Sequence, residues 1–181
     1  MELKLKTPKV LSESDFEFMK SINNNRHIFL KISNESKRYT PLECFDNVKQ
    51  KIKQDGGSPL FGWCIWKNEV FIEAEFHCVW QSRNKKQIID ITPQTDGGSR
   101  IIFLPEYEIE YKDHLINNIR RPLIDNPMVL EYIDHFDNLY NFRSELYNKY
   151  NAQVKPSNEE IKTSRELTSK VNSLARDLEN L

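Results

Sequence analysis

The chain reads as an α+β protein: a helix carrying a cysteine packs on an antiparallel β-sheet meander, and further helices follow toward the C-terminus. Three observations predict this. Residues 59–104 are rich in aromatic and β-branched side chains, alternate with period two, and are broken by short polar turn strings. Ahead of them, Thr40, Pro41 and Glu43 stand as N-cap, N1 and N3 of a helix. Beyond residue 126 the apolar residues return at helical spacing. A chain of 181 residues can bury a core of its own. Its expected division is an α+β domain over residues 1–150, then a linker and an amphipathic helix over residues 151–181.

The elements follow in order. Residues 1–11 read as an edge segment, and SESDFEFMKSINN as a short helix capped by Ser12 or Ser14, with Phe16, Met19 and Ile22 on its apolar face. RHIFLKIS is a strand. TPLE then opens a helix to about Gln54, whose apolar face is Phe45, Val48 and Ile52, and DGG ends it. LFGWCIW, EVFIEAEFHCVWQS, KQIIDITP and RIIFLP are strands separated by KNE, RNKK and TDGGS. Connections this short predict that successive strands are neighbours in a meander. The stretch from Glu106 to Leu123 reads as a loop with a helical turn.

From Pro127 a helix is predicted to about Tyr150, with Val129, Ile133, Phe136, Leu139, Leu146 and Tyr150 as its buried stripe. NAQVKPSNEE is a linker that ends in a capping box, Ser157 with Glu160. In the last helix Leu167, Val171, Leu174, Leu178 and Leu181 alternate spacings of four and three, as a coiled-coil seam does. That seam admits self-association or a partner helix through residues 158–181, against the plainer reading of a helix docked on its own chain.

Composition narrows the function classes. With 26 basic and 27 acidic residues the net charge is −1, so no field draws in nucleic acid or an anionic membrane. No stretch approaches the roughly 18 apolar residues that span a bilayer. MELKLKTPKVLSESDF lacks the apolar core of a secretory signal, and three cysteines imply no disulfide framework. A cytoplasmic location with reduced thiols is expected, with export lacking a cleaved signal as the alternative.

Three residues could carry chemistry. Cys44 falls in the first turn of its helix, where free backbone N–H groups and the dipole favour a thiolate. Strand alternation puts His77 on one face with Glu73 and Glu75, opposite Phe76, Cys78 and Trp80, so His77 is expected to line a polar cleft. Asp90 ends an apolar strand thirteen residues after His77, one hairpin away, where a carboxylate could bond the imidazole N–H. Each has a bland alternative: a small buried apolar residue, an incidental histidine on a solvated face, and a turn-closing aspartate. Zinc held by Cys44, Cys64, Cys78 and His77 is a weaker reading, because neither CxxC nor HxxxH spacing occurs.

The run FHCVWQSRNKKQIIDITP, with a helix-opening cysteine before it, resembles the transglutaminase-like, papain-like core of cysteine enzymes. GWCIWKNEVFIEAEFHCVW, DITP and RIIFLPE also resemble a bacterial family of uncharacterised proteins, some labelled after a SEC-C metal-chelating tail. The resemblance covers residues 40–105. It implies a cysteine-dependent hydrolase or acyltransferase acting on an amide bond of a protein or peptide, without a cofactor or metal. In it Cys44 is the nucleophile, His77 the base and then the acid, and Asp90 the orienting carboxylate. Trp63, Glu75 and Trp80 are the candidate substrate-binding residues. Two departures stand out: no cysteine-rich tail follows, and no oxyanion donor precedes the nucleophile, Arg38, Tyr39 and the more distant Trp63 being the nearest candidates. The alternative is a non-catalytic protein-binding module with a C-terminal interaction helix.

Overall fold

The computed structural model describes residues 3–95, 97–109, 111, 115–150 and 155–179. They form an α+β structure whose backbone divides into two compact units. One unit comprises Leu5–Asn68 and Ile72–Tyr111; the other comprises Met1–Lys4, Glu69–Phe71 and Lys112–Leu181. Within the smaller unit the long helix beginning at Pro127 packs with the C-terminal helix.

The larger unit starts with α1 (Glu13–Ile22). Ser12 caps it, accepting from the Asp15 N–H while Asp15 accepts from the Ser12 N–H. Asp15, Phe18 and Met19 are its buried residues. Phe16, expected inside, is exposed and lies on the His27 ring instead. The buried stripe falls one residue away because Asp15 turns inward to meet Lys67 at 2.7 Å.

Five strands follow the order β1 (Ile28–Lys31), β5 (Arg100–Pro105), β2 (Ser58–Lys67), β3 (Phe71–Gln81), β4 (Ile88–Ile89). The predicted meander holds for β2, β3 and β4, which are successive antiparallel neighbours. It fails at β5, which pairs with β2 and β1 rather than with β4. β4 pairs only Ile88 and Ile89, so it offers β5 almost no edge. After β4 the chain leaves the ladder: Asp90 bridges to Ile32, and its carbonyl accepts the Ser33 N–H at 2.8 Å. The two ends of this strand order thus touch at that bridge.

Its two faces bury different clusters. On the inner face lie Leu30, Leu60, Cys64, Val79, Ile101 and Phe103. On the outer face α2 (Cys44–Asp55) covers Cys78, Trp80 and Ile91 with Tyr39, Cys44 and Val48. The capping box expected at Thr40 does not form. Leu42 has a φ of 67°, and this left-handed residue separates Pro41 from the helix, which begins at Cys44. The Asn47 side chain holds Thr40 in place of the cap, accepting the Thr40 N–H at 3.1 Å and donating to its carbonyl at 2.8 Å. At the other end Gly56 and Gly57 both take positive φ, which stops the helix.

The smaller unit holds β6 (Ile119–Pro122), α3 (Pro127–Tyr150) and α4 (Asn158–Leu178). The stretch read as a loop with a helical turn thus contains a strand, after which the Leu123 N–H reaches the Val70 carbonyl at 2.8 Å. On α3 the buried residues are Val129, Tyr132 and Leu139. The Ser157–Glu160 capping box of α4 forms as expected. Val171, Leu174 and Leu178 of the apolar seam are buried, and α3 is the helix that packs against α4. Leu181 lies outside the described residues. No described helix is long and apolar enough to cross a membrane.

Candidate active site

Cys44, His77 and Asp90 come from three elements of the larger unit. Cys44 is the first residue of α2, so the sulfur sits where the helix presents its unpaired amides. His77 lies on β3 opposite Gly62 of β2, on the inner face of the sheet. This corrects the polar cleft expected from alternation. The inner face is a packed core, and His77 is as buried in it as its neighbours, because the sheet closes over that side.

Gly62 makes the room. A Cβ at this position would run into the Leu104 carbonyl and stand 2.7 Å from Cζ of Phe103. The Phe103 ring meets the His77 ring edge-on, with centroids 6.5 Å apart. A glycine in a strand is otherwise a loss of packing, so close approach is its reason here.

Asp90 follows β4 at the point where the chain turns toward β1. Its Oδ2 accepts from Nε2 of His77 at 3.2 Å, and from the Gln94 amide at 3.0 Å. Its Oδ1 accepts the Thr92 N–H at 2.8 Å. These bonds satisfy a carboxylate that has no solvent contact. Cys44 is the other side chain that acts on the charge of the His77 ring.

Burial works against charge on His77, but the Asp90 carboxylate and then Cys44 outweigh it and raise the imidazole pKa well above its ordinary value. Cys78 behaves oppositely. Desolvation, and after it the neighbouring Cys44 and Asp90 side chains, push its thiol far up. Among the described residues no group of three or more His, Cys, Asp or Glu side chains is arranged to hold a metal.

Asn47, Thr92 and Gln94 also belong to this network and were not singled out from the sequence. The buried Asn47 amide, one helical turn after Cys44, donates to Thr92 Oγ1 at 3.2 Å and so ties α2 to the Asp90 loop. The spacing of three residues from Cys44 was the available signal, since i and i+3 share a helix face.

Of the three substrate-binding candidates, Trp80 belongs to the same core cluster as Cys44. Trp80 is buried under α2 and donates its indole N–H to the Gly56 carbonyl at 2.8 Å. Glu75 accepts from the Trp66 indole at 2.6 Å. Trp63 is buried edge-on against Phe76, with centroids 5.2 Å apart. Of the proposed oxyanion donors, Tyr39 sits in the core around Cys44, while Arg38 ends an exposed 3₁₀ turn. Comparison with protein-family models, with curated proteins and with solved structures found no match for this chain.

Proposed function

We propose that the chain is a thiol hydrolase or acyltransferase acting on an amide bond, built on a transglutaminase-like scaffold. The observation that supports this most is the buried His77–Asp90 hydrogen bond at 3.2 Å, with Cys44 opening α2 and acting on the same imidazole. A helix N-terminus at the sulfur and an imidazole with a raised pKa nearby are surroundings in which a thiol nucleophile is activated. Cys44 sulfur attacks the carbonyl carbon, forming a C–S bond. As the C–N bond breaks, His77 passes its proton to the departing amine, leaving a thioester on Cys44. Water, or an amine in the transfer reaction, then gives a proton to His77 and attacks the thioester carbonyl, and the C–S bond breaks to restore the thiolate. Asp90 keeps the ring oriented and stabilises the imidazolium. The amides of the first turn of α2 supply positive potential to the developing oxyanion.

Iodoacetamide tests the reading. At about pH 6.5 Cys44 is expected to be alkylated faster than Cys64 and Cys78, and the preference is expected to disappear in His77→Ala. Mass spectrometry of the three tryptic peptides reads the result. Slow, equal labelling of all three thiols in the wild-type chain would sink it.

One observation favours the second reading, a non-catalytic binding module. Cys44, His77 and Asp90 have relative exposures of 6%, 5% and 0%, which leaves a substrate little access to sulfur. Protection of Cys44 from iodoacetamide in the folded chain, with rapid labelling in urea, would decide for it.

A further inference from the structure

Beside Cys44 the rings of Phe45, Phe61 and Phe76 surround that of Tyr111. Tyr111 stacks on Phe45 with centroids 4.6 Å apart and planes 12° apart, and reaches Phe61 at 5.2 Å and Phe76 at 5.8 Å. Phe61 and Phe76 are themselves stacked, 6.2 Å apart at 12°. The walls come from regular elements: Phe45 from the first turn of α2, Phe61 from β2 and Phe76 from β3. Tyr111 belongs to no helix or strand. The walls also belong to the candidate site. Phe45 follows the sulfur-bearing residue, and Phe45 and Phe61 pack on the cluster that contains Cys44.

A second, independent observation lies at the same place. Trp63 meets Phe76 edge-on at 5.2 Å, and its indole Nε1 is buried with no hydrogen-bond partner among the described residues. A buried N–H left unpaired is costly, and a bound carbonyl oxygen would relieve it. Three aromatic walls and an orphan donor together fit a ligand that carries an aryl ring next to an amide.

We propose that this ring cluster is an aromatic subsite, occupied in the structure by the chain's own Tyr111, that selects amide substrates bearing an aromatic side chain beside the bond to be cut. The proposal rests on the reading of Cys44 as nucleophile. A substrate ring displaces Tyr111 and keeps the same stacking on Phe45, so the exchange replaces one aromatic contact with another. No new cavity has to open for it.

The test is an NMR titration of the full chain with N-acetyltyrosinamide and with N-acetylalaninamide, in wild type and in Tyr111→Ala. Binding needs no turnover, so it is read separately from Cys44 chemistry. Tyrosinamide is expected to bind Tyr111→Ala about tenfold more tightly than it binds wild type, and to shift the Trp63 indole N–H. Alaninamide is expected to bind both weakly. Phe61→Leu, which keeps the core filled, is expected to remove most of the tyrosinamide preference. If Tyr111→Ala does not fold, Tyr111→Leu takes its place, with the same ordering expected. Equal affinity for the two amides in every folded variant would overturn the subsite. Slow, equal alkylation of the three cysteines overturns the nucleophile reading instead, and leaves the binding result standing by itself.

Discussion

The two compact units handle polar groups in opposite ways. The sheet unit places Asp15, Asn47, Lys51, Glu73, His77, Asp90 and Thr92 in its interior. The helical unit keeps its ion pairs at the surface, Lys149 with Glu160 and Lys170 with Glu131. Among the described residues the Arg120 side chain departs from this, being buried over the Phe136 ring and paired with Asp137 at 3.0 Å. Buried polar networks are costly when broken and weakly screened, whereas exposed pairs contribute little. A network held inside a core at that cost makes the sheet unit the more sensitive of the two to loss of a single partner.

Breaking each unit at its own kind of contact sharpens the contrast. All three tryptophans, Trp63, Trp66 and Trp80, lie in the sheet unit, so indole fluorescence follows it while far-UV circular dichroism also follows α3 and α4. The largest effect is expected from Asp90→Ala, which strands His77 and the Thr92 and Gln94 donors in the core. It should lower unfolding free energy by about 3–5 kcal/mol in urea, read by fluorescence. A loss under about 1 kcal/mol would mean the network relaxes around the gap.

The same network should respond to pH. Because His77 has a raised folded-state pKa, its contribution is complete below the unfolded value of about 6.5 and fades as pH rises through the folded value. The urea midpoint is therefore expected to fall on the alkaline side, and His77→Gln should flatten that slope. A slope unchanged by the substitution would exonerate His77.

Gly62→Ala comes next. The added methyl meets the Leu104 carbonyl and the Phe103 ring, and an expected loss of about 1–3 kcal/mol should appear as a fluorescence midpoint shift. In the helical unit Ser157→Ala removes the α4 cap, where Glu160 is held at about 2 chiefly by Lys149 and Tyr150, with the Ser157 N–H adding to them. The cost should be about 1 kcal/mol, seen by circular dichroism more than by fluorescence. Smallest of all is Lys170→Ala at the exposed pair with Glu131, expected to change stability by no more than about 0.5 kcal/mol. An effect there as large as that of Asp90→Ala would erase the contrast between the units.

How much was legible in the chain differs between these same regions. The bounds of α3 at Pro127 and Tyr150, and the Ser157–Glu160 box of α4, follow from residues within one turn of each other, and the structure has both. The stop of α2 at Gly56 is equally local. For the candidate site, the three residue types and their elements could be read from capping, alternation and spacing. The surroundings could not. Whether the His77 face meets water or core depends on which strand comes to lie beside β2, and β5 does so from forty residues away in sequence. Asn47 gave no signal as a tie to Thr92, because that contact joins positions 45 residues apart.

Sequence alone thus determined the secondary structure wherever caps, glycines and periodicity act between near neighbours, and it selected Cys44, His77 and Asp90 as residues worth placing. Tertiary structure decided three further things: the crossing of β5 to β2, the left-handed Leu42 that moves the helix start to Cys44, and the burial of His77 against Phe103. The physical reason is range. Hydrogen-bonded turns and caps close over three or four residues, whereas strand pairing and burial are settled by competition among distant apolar segments that no local pattern ranks.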